Sequence, residues 1–527
     1  MPDISQATQK LISRYHAWQQ ASLQKEGVAT VHVDEVAAKV AAFYERIRGV
    51  IDWREEHLLR RAAIERILKR RLLLGTNGKD LALSFVSELI RGGYFPNDRI
   101  EEIKIEIVQK SIDKYLYILE KSEKPTEKLK VRLYDWLLGV AACEVEEILD
   151  PLRRERALID YMTESMREKI STVPEISEFD KNTQTFVAVQ RALFKLDRPI
   201  ISYHLLKKGY PEWLSLPQNI LQEVSGNIYK IKDEIDGYLK HPLSERFYRI
   251  CERHDTPYLI LGDILSANAA NAQENLAKPE LTESSIRTSY QQRLSKLKSR
   301  TKRAAFYSTL SIFLSKILLA FAVEIPFDNY VTHQFDQRAL LLSVAMPPML
   351  MFFLVFTIRP PKKSNLEKVV LETMKIVYHQ EKKDVYLIKT PRKRKGLASA
   401  LIKLFYFTTF VVSFGLIWRL LDELNFGILS RIIFLLFLSL ISFAGVKVRE
   451  RSKELTVEEG KGGLLLFLLD SFSLPFIKIG QWLSGQLSRY NILIITLTAL
   501  IDMPLHIFTE FLEQWRNFLK EKKEEIH

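Results

Sequence analysis

Five residues of the C-terminal half place a charge or a proline inside long apolar stretches: Lys316, Pro347, Pro348, Asp470 and Asp502. An ionisable group inside a bilayer is costly and often functional. Adjacent prolines remove two backbone donors and kink or break a helix, as in transporters with discontinuous helices. These residues are therefore the candidates for a transport path. Arg419 and Arg431 are set aside, because Asp422 and Glu423 lie within reach and predict ion pairs.

Sequence motifs for other chemistry are incomplete. Gly75-Thr-Asn-Gly78-Lys79 resembles a phosphate-binding loop, but Leu73 stands where that loop needs glycine and Asp80 where it needs Ser or Thr. Cys251 and His254 have no second pair at zinc spacing. We therefore predict no catalytic, cofactor-binding or metal-binding site, and we do not expect an enzyme.

Four apolar runs predict transmembrane helices at about 304–323, 339–358, 397–421 and 426–446. About 20 apolar residues are needed for a helix to cross the hydrocarbon core. The loop Glu324–Arg338 is mostly acidic and is predicted to lie outside. The loop Arg359–Lys395 carries twelve basic residues and is predicted to be cytoplasmic, together with the N-terminus. The location predicted is the inner (plasma) membrane, crossed several times.

Overall composition hides this division, because the mean hydropathy is only −0.06. The first 300 residues are charge-rich and show apolar residues at helical spacing, whereas Ala29–Val33 and Val385–Ile388 are the only strand candidates. The fold class predicted is all-α, a helical cytoplasmic domain followed by a polytopic α-helical membrane domain. We divide the chain into a helical domain, a second helical subdomain, a basic linker with four transmembrane helices, and a C-terminal region, at 1–172, 173–280, 281–460 and 461–527.

Seven basic residues without an intervening acid precede the first transmembrane helix: Arg287, Arg293, Lys296, Lys298, Arg300, Lys302 and Arg303. Such a flank is typical of a cytoplasmic segment beside anionic lipid headgroups. A solvated helix face is the alternative. The net charge of +13 also permits nucleic-acid binding. We do not expect that partner, because the adjoining membrane already accounts for the charges.

The C-terminal region contains two similar units, each an apolar arm, a polar break with proline, and an amphipathic helix. Ser473 and Asp502 are suitable N-caps for the helices after Pro475 and Pro504. We predict half-inserted, re-entrant or interfacial units, with Trp482 and Trp515 at the lipid headgroups. Two kinked full spans are the alternative, in which Asp470 and Asp502 are intramembrane carboxylates.

Two short segments, 466–515 and the run Glu55-Glu-His-Leu-Leu-Arg-Arg61, resemble segments of uncharacterised polytopic membrane proteins of Candidate Phyla Radiation bacteria. The resemblance implies a bacterial inner-membrane location and carries no activity or substrate. From the residues themselves we predict a scaffold, in which the cytoplasmic helical domain docks an unidentified protein partner at the membrane. The alternative is a transporter or channel lined by the five residues named first.

Overall fold

The structure is a computed structural model, and it separates into two units. It describes residues 4–22, 27–35, 39, 42, 56–73, 81–122, 126–151, 153–333, 336–356, 361, 364–378, 385–390, 396–452, 454–456, 464–489, 507–508, 511–512, 514–516, 518–519 and 522. The first unit comprises Met1–Ala277, Val377–Lys389 and Leu493–His527. The second comprises Lys278–Ile376 and Thr390–Ile492.

Helices make up nearly all of the first unit as described. They are α1 (Gln6–Ser22), α2 (Glu56–Leu73), α3 (Ala82–Arg91), α4 (Ile103–Lys121), α5 (Glu127–Leu149), α6 (Arg153–Lys169), α7 (Glu178–Phe194), α8 (Arg198–Gly209), α9 (Gln218–Leu239), α10 (Ser244–Arg253), α11 (Asp255–Ala267) and α12 (Ala272–Ala277).

Helix α5 is central to the first unit. Thr126 caps its N-terminus by accepting a hydrogen bond from the Leu129 amide. Every residue of 137–146 is buried, so the helix is packed on all sides rather than along one stripe. Helices α2, α4 and α8 pack around it and form the main hydrophobic core.

The sequence pattern predicts one helix over 181–206, but the structure has two. Lys195 takes a left-handed conformation with φ of 50° and ends α7. Asp197 then caps α8 through the Ile200 amide, with Pro199 in the first turn. The helical periodicity runs through this junction because both helices pack on the same core, so the periodicity alone does not show the break.

A two-stranded parallel sheet joins distant parts of the first unit. Strand β1 (Ile170–Val173) pairs with β2 (Tyr386–Lys389), with Ile170 opposite Tyr386. Strand β2 overlaps the predicted candidate Val385–Ile388 and is shifted from it by one residue, whereas β1 falls where the sequence suggests only a domain break. The residues on both sides of the predicted boundary at 172 and 173 belong to the same unit. Of the other strand candidate, Thr30 forms an isolated bridge with Glu101.

The second unit consists of long, apolar helices. They are α13 (Pro279–Leu319), which continues as π-helix and one α-turn to Thr332, α14 (Gln337–Phe356), α15 (Ser364–Tyr378, whose last two residues belong to the first unit), α16 (Leu397–Glu423), α17 (Ile428–Ser452) and α18 (Leu464–Arg489). Four of the described helical stretches are long and apolar enough to cross a membrane: Pro279–Val331, Gln337–Phe356, Ala400–Glu423 and Ile428–Glu450. They correspond to the four predicted spans. The all-α prediction is confirmed for the described residues.

Helices α17 and α18 approach each other closely at Gly480. A Cβ at this position would lie 2.0 Å from the backbone oxygen of Ser439 on α17. Small residues permit such close contact between helices in a membrane. Helix α18 also runs without interruption through Ser473 and Pro475, so the predicted break at Ser473 is wrong. The Ser413 hydroxyl of α16 donates to the Phe472 carbonyl, 3.0 Å away, one turn before the proline.

Candidate functional site

Pro326 changes the hydrogen bonding at the end of the first apolar helix. Proline has no N–H, so the α-helical bond to the Ala322 carbonyl cannot form. On either side, the bonding is π-helical, as the amide of Ile325 donates to Ala320 and that of His333 to Asp328. The predicted outer loop from Glu324 is therefore wrong in its first part, because helical turns continue to Thr332. Single π-turns are frequent at functional sites.

These wider turns keep one row of residues facing the neighbouring helices. Ser308, Lys316, Ala320, Glu324 and Asp328 are all buried and are separated by multiples of four residues. In an α-helix of 3.6 residues per turn, such a row drifts by about 40° at each step of four. Since π-turns are wider, they offset the drift, and the deepest polar residues stay on the inner side.

Lys316 and Glu324 form an ion pair in the interior of the second unit. Both side chains are 0% exposed, and the Lys316 Nζ donates to the Glu324 Oε1. The other oxygen of Glu324 accepts from the Ser343 hydroxyl of α14, at 3.2 Å, and from the Ser430 hydroxyl of α17, at 3.0 Å. The Lys316 Nζ lies 5.8 Å from the Phe437 ring centroid, within the range of a cation–π contact. Three helices thus converge on one carboxylate.

Pro347 and Pro348 leave two backbone oxygens of α14 without their helical donors. Helix α14 continues through both prolines, so it does not break there. In an α-helix the residue four positions later donates to each carbonyl. The carbonyls of Ser343 and Val344 therefore lack that donor. Ser343 is also the residue whose hydroxyl contacts Glu324.

The structure brings together some of the transport-path candidates. Lys316 lies in the cluster, and Pro347 lies one turn after Ser343, whose hydroxyl contacts Glu324. Asp470 lies on α18, but its side chain is outside the described part of the structure, and Asp502 lies outside the described residues altogether. Glu324 was missed from the sequence, because it was assigned to an outer loop. Its spacing of eight residues from Lys316 was the available signal.

Among the lipid-contact candidates, Arg287 is already engaged within the protein. Its guanidinium donates to both oxygens of Glu367, at 2.8 Å each, and to Glu283 at 2.9 Å. Arg293 is half-buried. The remaining candidates are exposed on the surface: Lys296, Lys298, Arg300, Lys302, Arg303, Trp482 and Trp515. The predicted ion pairs of Arg431 with Asp422 (2.6 Å) and Arg419 with Glu423 (3.9 Å) are confirmed.

The first unit contains a second buried lysine–glutamate pair. Lys114 Nζ donates to Glu144 at 2.7 and 2.8 Å and to the Trp213 carbonyl at 2.6 Å. The Tyr115 hydroxyl donates to the same carboxylate at 2.7 Å. Burial lowers the pKa of Lys114, and the nearby Glu144 opposes this. This network is fully enclosed by α4, α5 and the turn that carries Trp213.

Two further glutamates of α5 meet basic side chains. Glu146 is buried beside Arg60, whose Nε lies 3.4 Å from Oε1. Burial raises the pKa of Glu146 to about 7, although Arg60 acts in the opposite direction. Glu147 accepts from Lys207 at 2.7 Å and from Tyr203 at 2.6 Å. Its pKa is lowered, because these donors and Arg156 outweigh the opposing effect of burial.

Basic residues of α2 also form ion pairs inside the protein. Arg61 is 2% exposed and pairs with Glu65 and Asp197. Arg70 and Arg71 both contact Glu88. The sequence leaves lipid headgroups, nucleic acid or water open for these residues, with a solvated face as the default, and that default is wrong for Arg61, Arg70 and Arg71. Within the described residues, no group of three His, Cys, Asp or Glu side chains is placed to hold a metal ion.

Comparison of the chain with protein-family models, with curated proteins and with solved structures finds no match.

Proposed function

We propose that this protein is a bacterial inner-membrane scaffold whose first unit docks a protein partner at the cytoplasmic surface. One observation carries the proposal. The first unit is assembled from three separate stretches of the chain, and two of them follow apolar helices of the second unit. A soluble domain that is merely tethered to a membrane needs a single connection to the membrane helices. Here the chain passes from one unit to the other four times, which suits a domain built together with the apolar helices.

The orientation follows from the sheet and from the charges. Because β1 and β2 pair, the N-terminal half and the segment between α14 and α16 lie on one side of any membrane that the helices cross. The basic bias of 359–395 favours the cytoplasm for that side. A membrane-impermeant thiol reagent added from outside is expected to leave Leu387→Cys unmodified. Modification of that cysteine in intact cells would reverse the orientation.

The surface that best suits docking is the strand patch, formed by the exposed apolar residues Val173, Val385 and Leu387. They are 51%, 61% and 51% exposed. Residues on the opposite face of the sheet, Ile170 and Ile388, are buried. Exposed apolar side chains grouped on one face mark a surface that a partner can cover. The partner expected is therefore a protein with an apolar segment.

Cross-linking in native membranes tests this docking surface. The full chain is compared with Leu387→Glu and with Val131→Glu, a control at an equally exposed apolar position on α5 (57%). We expect the same cross-linked protein with the wild-type chain and the Val131 variant, and its loss with Leu387→Glu. Identical cross-links in all three chains, or none in the wild type, would count against the strand patch.

We also propose that the exposed basic residues of α13 contact anionic lipid headgroups. Their positive charge and their position before the first apolar stretch suit this contact. Native mass spectrometry of the purified chain checks this contact. We expect retained anionic lipids, and fewer of them after Lys296, Lys298, Lys302 and Arg303 are changed to Gln. Equal retention of anionic lipids by the wild-type chain and the variant would count against this contact.

A transporter or channel is the second candidate, and the buried pair Lys316–Glu324 favours it. An ionisable pair among membrane helices marks ion pathways in many transporters. Uptake into liposomes containing the full chain, compared with Glu324→Gln, distinguishes the two candidates. Equal ion flux through both chains would oppose transport at this site.

A further inference from the structure

Large apolar side chains near the C-terminus are exposed on one side of a helix. The described residues at 507–508, 511–512, 514–516, 518–519 and 522 are all helical and belong to the first unit. Six apolar side chains among them are between 49% and 68% exposed: Ile507, Phe508, Phe511, Trp515, Phe518 and Leu519. Successive residues of an α-helix are turned by about 100°, so these six lie within an arc of about 120°. We call this arc the aromatic face.

The rings at the centre of the aromatic face follow one another along the helix. The ring centroids of Phe511 and Trp515 lie 6.2 Å apart, with an angle of 22° between the ring planes. The Phe518 ring follows at 6.1 Å from Trp515. Rings at these distances attract one another. The face is therefore one connected apolar surface, and such surfaces mark sites of contact with a protein or a membrane.

The other side of the same helix is attached to the first unit. The Arg516 Nε lies 3.3 Å from the Asp34 Oδ2, and the Asp34 side chain is 9% exposed. Around the helix, Arg516 is turned by about 120° from the middle of the aromatic face. The ion pair therefore holds the helix to the first unit from its polar side and leaves the aromatic face uncovered.

The neighbouring chain favours lipid as the occupant of this face. The second unit, with its apolar helices, ends at Ile492, fifteen residues before Ile507. A chain of that length spans at most about 50 Å, so the aromatic face stays within reach of a bilayer that those helices cross. Trp, Phe and Leu on one face of a helix with a polar opposite face are typical of segments that lie in the membrane interface.

We propose that the aromatic face lies in the headgroup region of the bilayer and holds the first unit against the membrane surface. The sequence from 507 to 522 has three acidic and three basic residues, so its net charge is zero. The contact therefore depends on the apolar area that enters the interface, and a neutral phospholipid suffices. This inference does not depend on the docking proposal, because no protein partner takes part.

Nitroxide labels on the full chain, purified and reconstituted in phosphatidylcholine liposomes, test this contact. One label is attached at Phe518→Cys. The control label is attached at Phe179→Cys, another exposed aromatic position of the first unit, on α7 and 61% exposed. The native cysteines, Cys143 and Cys251, are buried. We expect oxygen, which concentrates in lipid, to relax the label at 518, and a water-soluble nickel chelate to relax the label at 179.

Other occupants of the aromatic face give different results in the same experiment. If the nickel chelate relaxes the label at 518, the face lies in water and the proposal is wrong. Protection of that label from both reagents would also overturn the proposal, since a second copy of the chain then covers the face. Replacing part of the phosphatidylcholine with phosphatidylglycerol, or adding salt, should leave the oxygen signal at 518 unchanged. A signal that requires the anionic lipid would show that charge drives the contact, contrary to the proposal.

Substitutions within the aromatic face test whether its apolar area makes the contact. Phe511→Glu with Trp515→Glu removes two large apolar side chains and is expected to lower the ratio of lipid-bound to released helix by at least about 100-fold. The label at 518 should then respond to the nickel chelate. Both side chains are exposed, so the first unit is expected to keep its fold. Phe179→Glu, the matched control, should leave the oxygen signal at 518 unchanged. A double variant whose label at 518 still responds to oxygen would overturn the proposal.

Discussion

The two buried lysine–glutamate pairs of this protein differ in how completely their hydrogen bonds are made. In the first unit, Lys114 donates to both oxygens of Glu144 and to the Trp213 carbonyl, and Tyr115 supports the carboxylate. In the second unit, Lys316 reaches a single carboxylate. Both pairs are buried, so burial by itself does not distinguish them. The difference lies in the number of hydrogen-bond acceptors that each ammonium has.

A saturated network is fixed, because removing any member leaves a buried group without its partner. Among the described residues, the Lys316 ammonium has the Glu324 carboxylate as its acceptor. This contrast indicates that the Lys114 network is the more completely hydrogen-bonded of the two and contributes more to holding its unit together. The helices of the second unit are held instead by small residues and by serine hydroxyls, as at Gly480 and Ser413.

Lys114→Met gives the largest expected effect. It leaves the Glu144 carboxylate buried with the Tyr115 hydroxyl as its remaining described donor, so the first unit should lose about 3–5 kcal/mol of stability. Hydrogen exchange of the α5 amides in the full chain measures this loss. The double variant Lys114→Met with Glu144→Gln should recover part of it, because the uncompensated charge is gone. A loss below 1 kcal/mol in the single variant would contradict the view that this network is structural.

A pH-dependent effect on stability is expected at Glu146. Its ion pair with Arg60 is longer, at 3.4 Å, than the hydrogen bonds that Glu144 accepts from Lys114 and Tyr115. Burial raises its pKa in the folded protein from 4.5 to about 7. The folded state therefore holds this proton more tightly than the unfolded state, and the contribution to stability falls as the pH rises from about 4.5 to about 7. The shift corresponds to about 3 kcal/mol. Relative to wild type, Glu146→Gln should gain about this amount between those pH values.

Hydrogen exchange of α5 at several pH values, corrected for the intrinsic exchange rate, follows this difference. Glu168→Gln is a matched control, since this glutamate lies exposed on α6. Its difference from wild type should be small, because exposed charges contribute little to stability. A difference for Glu146→Gln that is independent of pH would show that the Glu146–Arg60 contact dominates burial.

The smallest of the three effects concerns packing in the second unit. Gly480→Ala places a methyl group against the Ser439 backbone oxygen, which cannot move without shifting α17. Overpacking of this kind costs about 1–3 kcal/mol. Gly485→Ala on the same helix is the control, because nothing lies within 4 Å of its Cβ position. Hydrogen exchange of α17 and α18 should increase in the Gly480 variant alone, and equal exchange in both would remove the argument for a close crossing.

The sequence predicted those features that depend on neighbouring residues. Apolar length located the four candidate spans, and helical periodicity located most helices of the first unit. Strand β2 was found from its own composition, but β1 was not, because a strand of four residues beside a proline gives no local signal. Its partner lies on the far side of two apolar helices. Whether β1 forms therefore depends on its tertiary contacts rather than on its local sequence.

The charged cluster was only half predicted for a similar reason. Lys316 is conspicuous because apolar residues surround it in the sequence. Glu324 follows a run of apolar residues and precedes Pro326, which favours a loop. Only the π-helical turns bring it back to the inner side of the helix. The internal ion pairs of Arg61, Arg70 and Arg71 were hidden too, since their acidic partners lie on other helices.

The β1–β2 pair has a consequence for the order in which this protein is made. Strand β1 leaves the ribosome early, whereas β2 follows α13 and α14 in the chain and is synthesised only after both. Long-range parallel pairing is slow, because much of the chain must be in place before it forms. If α13 and α14 cross a bilayer, a chain in which one of them fails to insert carries β2 to the side opposite β1 and leaves β1 unpaired. The completed sheet then forms only in chains in which both helices have inserted.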